Sequence, residues 1–368
     1  MASPSDVDLA DRFDISGPAH MMAENGAGSS SPMQIDWGKE EHRRCVVACL
    51  VKGVMVMTKD RSRRGRTTSR PLAPAWWESF GFRCRNVIKD VSDPQKDDEI
   101  FGATYEYKPP AGLPHHRGDP PSYVVAFRGT IPTRMGDLVH DIKILCNTFY
   151  NSKRCEITRK EVEGLLDGRT NSCTALDVRR SMAEKGFNLP TFLFNPPQVS
   201  PAPVINLLRL NEEAKSIIYA TSSLLKVGLG KIVKPHEEHM KNLFKQLLQS
   251  QWTPELYVHD SDPICQGYID YFEQRQLVLE RFPDIGMLAM KLSYRDMVFS
   301  ALGEEKERPH LLPSVLLWKN SRMDDGAHNH LSKCKLALKA HSLEQWWKPD
   351  SELSLTKKQY NYRSNDES

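Results

Sequence analysis

The chain reads as an α/β protein, a mostly parallel sheet flanked by helices on both faces. Two observations carry that expectation. Short apolar runs closed by turn residues alternate with longer stretches at helical spacing, the pattern of strands joined by crossover helices. Three of these runs lead towards residues able to do chemistry: Thr130 after Tyr123–Phe127, Asp262 after Leu256–His259, and His341 beyond Val315–Trp318. A sheet of this kind binds ligands at the carboxyl ends of its strands.

Taken in order, residues 1–35 are rich in Asp, Ser, Gly and Ala and are expected to be disordered, with Phe13–Pro18 as a candidate docking motif. The main domain is expected over 36–350, followed by a polar tail over 351–368. Lys39–Met57 places Val46, Val47, Leu50, Val51 and Val54 at helical spacing, which predicts an amphipathic helix. Lys59–Arg70 carries six basic residues and one acid and reads as a solvated loop, with nucleic-acid contact the weaker reading. The aromatic cluster Ala75–Phe80 is expected to pack a following helix onto the core.

Ile100–Tyr107 reads as a strand, and Lys108–Pro121 as a loop whose adjacent His115 and His116 lack ligand spacing. Tyr123–Phe127 is β-branched and aromatic, uncharged and preceded by Pro120-Pro121, so it predicts a buried strand emptying into Arg128-Gly129-Thr130. Arg128 is expected to be structural, paired with a carboxylate such as Asp141. Helices are predicted over Arg154–Leu166 and Ala175–Lys185, the second capped by Thr174 and Asp177 and closed by Gly186. Thr191–Phe194 is a short strand stopped by Asn195-Pro196-Pro197.

Residues 204–250 read as helical; His236 and His239 there lack the H-E-x-x-H spacing of a zinc pair. Leu256–His259 predicts a strand, Ile269–Phe282 and Ile285–Ala301 helices, Val315–Trp318 a strand and Lys319–Ser332 a polar loop.

Fifty basic residues against 47 acidic ones leave a net charge of +3, which selects neither for nor against nucleic acid. The eight cysteines form no C-x-x-C pair, and Cys45-x₃-Cys49 has no second pair to complete a zinc site, so free thiols in a reducing compartment are expected. The first residues lack the basic and apolar regions of a signal peptide. The most apolar run, Cys45–Met57, is broken by Lys52 and Gly53 and is too short to cross a bilayer. A soluble, cytoplasmic protein is the expectation.

A carboxylate followed later by a histidine is the second half of the chain order Ser…Asp…His in α/β-hydrolases. There the histidine takes the serine proton and the acid fixes its tautomer. The sequence resembles the plant lipase class 3-like α/β-hydrolases, a group often labelled GDSL esterase/lipase, over roughly residues 12–350. The resemblance rests on Phe13–Pro18, Glu41–Arg44, Pro74–Trp77, Ala126–Thr130, Phe192–Pro197, Asp262–Cys265, His310–Ser314 and Ala340–Trp347. It implies Asp262 as the triad acid, His341 as the triad base and Thr130 as an oxyanion-hole donor. It also implies a lipid or small ester substrate and no metal or organic cofactor, since triad chemistry needs neither. Gly136-Asp137-Leu138 is a chance echo of the group's label.

One part of the pattern is missing. The family places a G-x-S-x-G elbow, typically Gly-His-Ser-Leu-Gly, between the helices that here end near Leu166 and begin at Ala175. This chain has only Asp167–Thr174 there, and no G-x-S-x-G anywhere. An elbow needs a strand of about five residues, a tight turn and the first turn of a helix. Ser172 and Cys173 have neither flanking glycines nor a preceding apolar strand. The expectation is a chain with no nucleophile, without the central elbow strand, and impaired as a hydrolase. The alternative is a non-catalytic protein that binds lipid or protein.

Overall fold

The computed structural model describes residues 35–64, 75–90, 99–109, 117–129, 153–166, 189–196, 252–281, 312, 314–322 and 339–361. These residues belong to two compact units. One lies within Met1–Pro132, Ser152–Ala175 and Leu343–Leu353, the other within Thr133–Asn151, Leu176–Ser342 and Ser354–Ser368. Helices and sheets are mixed, so the protein is α/β in the broad sense.

The first unit is built on helix α1, Glu40–Arg64. Its start is tied down locally: the Asp36 N–H donates to His42 Nδ1 at 3.0 Å, and Glu40 and Glu41 place negative charge at the positive end of the helix dipole. The predicted amphipathicity is not found. Every residue from Arg44 to Leu50 is buried, as are Val54, Val56 and Thr58, and a helix buried on all faces must have partners on all faces. Those partners are strands β2 (Glu99–Tyr107) and β3 (Tyr123–Phe127) and the 3-10 turns Trp76–Phe80 and Leu343–Trp347. The helix also runs on to Arg64, into the basic stretch read as a loop.

The cluster at Ala75–Phe80 is a 3-10 turn closed by Gly81 at φ 77°, and it leads into strand β1, Phe82–Asp90, rather than into a helix. Two register shifts, at Cys84/Asn86 and Ile88/Lys89, break the alternation of buried and exposed residues that would have revealed β1. The sheet β1-β2-β3 is antiparallel throughout. Residues 91–98 are too few to carry a crossover from β1 to β2, and the proline-rich 108–122 is unsuited to one between β2 and β3, so both pairs run antiparallel.

Helix α2, Lys153–Leu166, is tied to this sheet by charge: Arg154 bonds Asp90 and Glu99 at 2.8 Å each. Arg128, just beyond β3, pairs with Glu99 at 2.7 Å and donates to the Ile100 carbonyl at 2.9 Å. The partner in the structural role expected for Arg128 is therefore Glu99, while Asp141 lies outside the described residues.

Gly53 marks the closest approach of α1 to β2. A Cβ there would stand 2.6 Å from the hydroxyl of Tyr105, which is fully buried and donates to the Leu50 carbonyl at 3.1 Å. Alanine would improve helix propensity by about 1 kcal/mol. We expect Gly53→Ala nevertheless to lose about 1–3 kcal/mol, because the overpacked ring has nowhere to retreat. A lowered urea midpoint is the readout, and an unchanged or raised midpoint would contradict the account.

The second unit holds the sheet β4-β5-β6-β7, with β4 Phe192–Phe194, β5 Glu255–His259, β6 Val315–Asn320 and β7 Leu355–Tyr360. The pairings β4–β5 and β5–β6 are parallel and β6–β7 is antiparallel. Among the described strands the parallel pairs lie in this unit, and the mostly parallel sheet expected from the sequence is not what those strands form as a whole. β5 is buried along Leu256–His259, as a strand covered on both faces must be. Leu256 and Val258 join the core with Phe272 of helix α3, Gly267–Arg281, while Tyr257 stacks on Phe194 at 5.0 Å and Trp318 at 5.8 Å.

β7 arises from the polar stretch read as a tail. Its middle residues are exposed, but Tyr360 is buried and stacks on Phe272 at 5.2 Å. An antiparallel edge strand on a parallel sheet tolerates such polarity because only its inward residues meet the core.

Candidate active site

The parallel strands β4, β5 and β6 present their carboxyl ends as Asn195, as the turn after His259, and as Asn320. The turn after β5 is the most constrained. The Asp260 N–H donates to the Asn320 carbonyl at 3.1 Å, which ties the turn to the neighbouring strand. Buried His259 takes the Ser261 N–H on Nδ1 at 3.0 Å. A backbone N–H can only donate, so the His259 proton sits on Nε2, which faces the Arg322 carbonyl at 3.2 Å. His259 is therefore a structural residue that shapes the path to Asp262.

Asp262 is completely buried. Its Oδ1 accepts the Ile264 N–H at 2.9 Å, an Asx-turn that leads through Pro263 towards α3. Its Oδ2 accepts two donors, the Cys265 thiol at 3.0 Å and His341 Nδ1 at 2.8 Å. Burial pushes the Asp262 carboxyl up. The hydrogen bonds from His341, Cys265 and the Ile264 N–H, with the attraction of a charged His341, outweigh it and hold the carboxyl below its ordinary 3.8. Burial and the neighbouring Asp262 charge push the Cys265 thiol well up, so it stays protonated and serves as a donor.

His341 is the last of the described helical residues 339–341, and its side chain is 40% exposed. With an anionic carboxylate on Nδ1, that nitrogen carries the proton and Nε2 keeps its lone pair. The arrangement can take a proton at Nε2 and stabilise the resulting imidazolium. The Asn195 side chain donates to the His341 carbonyl at 2.8 Å.

Of the residues singled out from the sequence, Asp262 and His341 come together across a sequence separation of 79. Thr130 and residues 167–174, where the elbow is missing, lie outside the described residues, as do His115, His116, His236 and His239. Asn195 and Cys265 were not singled out as site residues. The only signals were the Asn-Pro-Pro stop after β4 and the thiol three residues beyond Asp262.

The chain matches a GDSL esterase/lipase of Arabidopsis thaliana, with 30% identity over 377 residues covering 95% of this chain and 98% of that relative. It belongs to that esterase/lipase family. No protein-family model matches it, and no solved structure does. The family match spans both units and includes the turn after β5 and the segment carrying His341. Among the described residues, no group of three or more His, Cys, Asp or Glu could hold a metal ion, and no helix is long and apolar enough to cross a membrane. The described cysteines of this esterase/lipase-family chain, Cys45, Cys49, Cys84, Cys155 and Cys265, are free thiols.

Proposed function

We propose that the protein is a lipase class 3-like α/β-hydrolase by descent, with Asp262 as the acid and His341 as the base of a Ser–Asp–His apparatus for carboxylic or lipid esters. The observation that carries this reading is the 2.8 Å bond between a fully buried Asp262 and His341, at the end of a parallel strand in an esterase/lipase-family chain. In such an apparatus His341 Nε2 would take the nucleophile's proton and return it to the leaving alcohol, while Asp262 holds the tautomer. The backbone N–H of Thr130, which follows a strand end and a glycine, would be one donor to the tetrahedral oxyanion.

This chain carries no G-x-S-x-G, the segment that in the family would deliver a serine to the base. Loss of the nucleophile alone removes most of the rate enhancement, because the acid and base act through it. Hydrolysis is therefore impaired. The purified full chain should turn over a short-chain nitrophenyl ester or a triacylglycerol at a rate that His341→Ala leaves unchanged. Ester turnover abolished by His341→Ala would overturn the impaired reading and require a serving nucleophile elsewhere in the chain.

A second reading is favoured by the same deficit standing beside an intact acid–base pair. It makes the protein a non-catalytic member that binds lipid or protein. Saturable binding of a fluorescent fatty acid by an inactive chain supports the lipid form of this reading, and absence of binding rejects it.

A further inference from the structure

Asn195 is the one non-glycine residue with positive φ among the described residues, at 45°. Asparagine visits this left-handed region at modest cost, whereas branched or bulky side chains do not. The residue stands at the carboxyl end of β4, and its N–H donates to the Tyr257 carbonyl at 2.9 Å, extending the parallel ladder to β5. Its side chain is buried, and Nδ2 donates to the His341 carbonyl at 2.8 Å. That carbonyl stands at the carboxyl end of the helical residues 339–341, where carbonyls have no partner further along the helix. His341 is thus held twice: its main chain by the end of β4, and its ring by Asp262 beyond the end of β5.

The two bonds have different consequences. A ring bonded only to Asp262 could follow any movement of its own backbone by rotating about its side-chain torsions. A fixed main chain limits the ring to a few staggered directions, of which the bond to Asp262 selects one, and functional geometries are held this way, by a neighbour that locks the residue. The Asn195 torsion is the cost of aiming its amide at that carbonyl. We propose that Asn195 is a positioning residue for His341: by fixing the His341 main chain it keeps Nδ1 against Asp262, and so maintains the tautomer that leaves Nε2 as the base. The inference rests on the reading of Asp262 and His341 as an acid–base pair, and it assigns a task to the Asn-Pro-Pro stop after β4.

The test uses the full chain labelled with ¹⁵N-histidine, with the ring-nitrogen shifts of His341 identified by their loss in His341→Ala. At neutral pH the wild type should show the Nδ1–H form. Asn195→Gly accepts the backbone conformation without strain and removes the donor. Asn195→Asp keeps the shape and the left-handed tolerance but turns a carboxylate towards a carbonyl. With folding verified by far-ultraviolet circular dichroism, both variants should lose the fixed Nδ1–H signature and move towards the Nε2–H form. Retention of that signature in folded Asn195→Gly overturns the proposal and leaves Asn195 a structural residue only. A wild type lacking the Nδ1–H form overturns the acid–base reading itself. The wild type and the variants thus separate the two failures, and neither measurement depends on hydrolytic activity.

Discussion

Replacing Arg44 with alanine is expected to cost about 3–5 kcal/mol of stability. The guanidinium is buried beside α1 and serves three acceptors on the segment just after His341 in sequence. Nε donates to the Trp346 carbonyl at 3.0 Å, Nη2 to the Lys348 carbonyl at 2.6 Å, and Nη1 to Asp350 at 2.7 Å. The two carbonyl bonds dominate the loss, because each is charge-assisted and removal takes the guanidinium from the buried Trp346 and leaves the half-buried Lys348 carbonyl facing only the weak Cys45 thiol donor at 3.8 Å.

The ion pair with Asp350 contributes little, since that side chain is 52% exposed. Burial pushes the Asp350 carboxyl up ahead of the opposing pull of Arg44. A carboxyl raised in the folded state adds stability in acid and loses it as the pH rises through the folded value, so it contributes none at neutral pH. Asp350→Ala should therefore stay within about 1 kcal/mol of wild type. Arg44→Lys should remain close to Arg44→Ala, because one ammonium cannot span three acceptors in a planar fork. Urea unfolding of the three variants reads this directly. An Arg44→Ala midpoint close to wild type, or a full rescue by lysine, would contradict it.

The same contact shows where a sequence stops being legible. The apolar spacing of Val46, Leu50 and Val54 announced a helix, but the cover over its remaining faces includes a segment some 300 residues further along. No local window contains that information. Strands β3 and β5 were legible because they are short uncharged runs between turns. β1 was not: its bulges scramble the period, and its polar Arg83, Arg85 and Asn86 hid a strand where a helix was expected. Asp262 stands in Asp-Ser-Asp-Pro, a turn-forming pattern, and turn formation is half of its role: Oδ1 makes the turn, while Oδ2 faces His341. Spacing could not have joined the two. The family blocks around Asp262–Cys265 and Ala340–Trp347 singled them out. Asn195 stayed hidden because its task lies in a left-handed torsion and a contact 146 residues away.

Asp262→Ala is the second large loss expected, also about 3–5 kcal/mol, because three donors converge on a fully buried carboxylate. Without it the Ile264 N–H, the Cys265 thiol and His341 Nδ1–H lose their common acceptor. The pH dependence identifies the mechanism. The Asp262 carboxyl is held below its ordinary 3.8, so its stabilisation is fully present above that value and is lost as the pH falls through the lower folded value.

Wild type should therefore weaken in acid below about pH 4 more steeply than Asp262→Asn, which has no proton to take up. The asparagine keeps the shape but sets an NH₂ against either the Ile264 N–H or the two donors on the Oδ2 side. With its oxygen retained by Ile264, His341 must turn to the Nε2–H tautomer so that Nδ1 can accept. Urea midpoints across the acid range, with His341 ring-nitrogen shifts at neutral pH, test both halves. An acid slope shared by wild type and Asp262→Asn would remove Asp262 as the origin of the pH dependence. An unchanged tautomer would remove it as the group that holds His341.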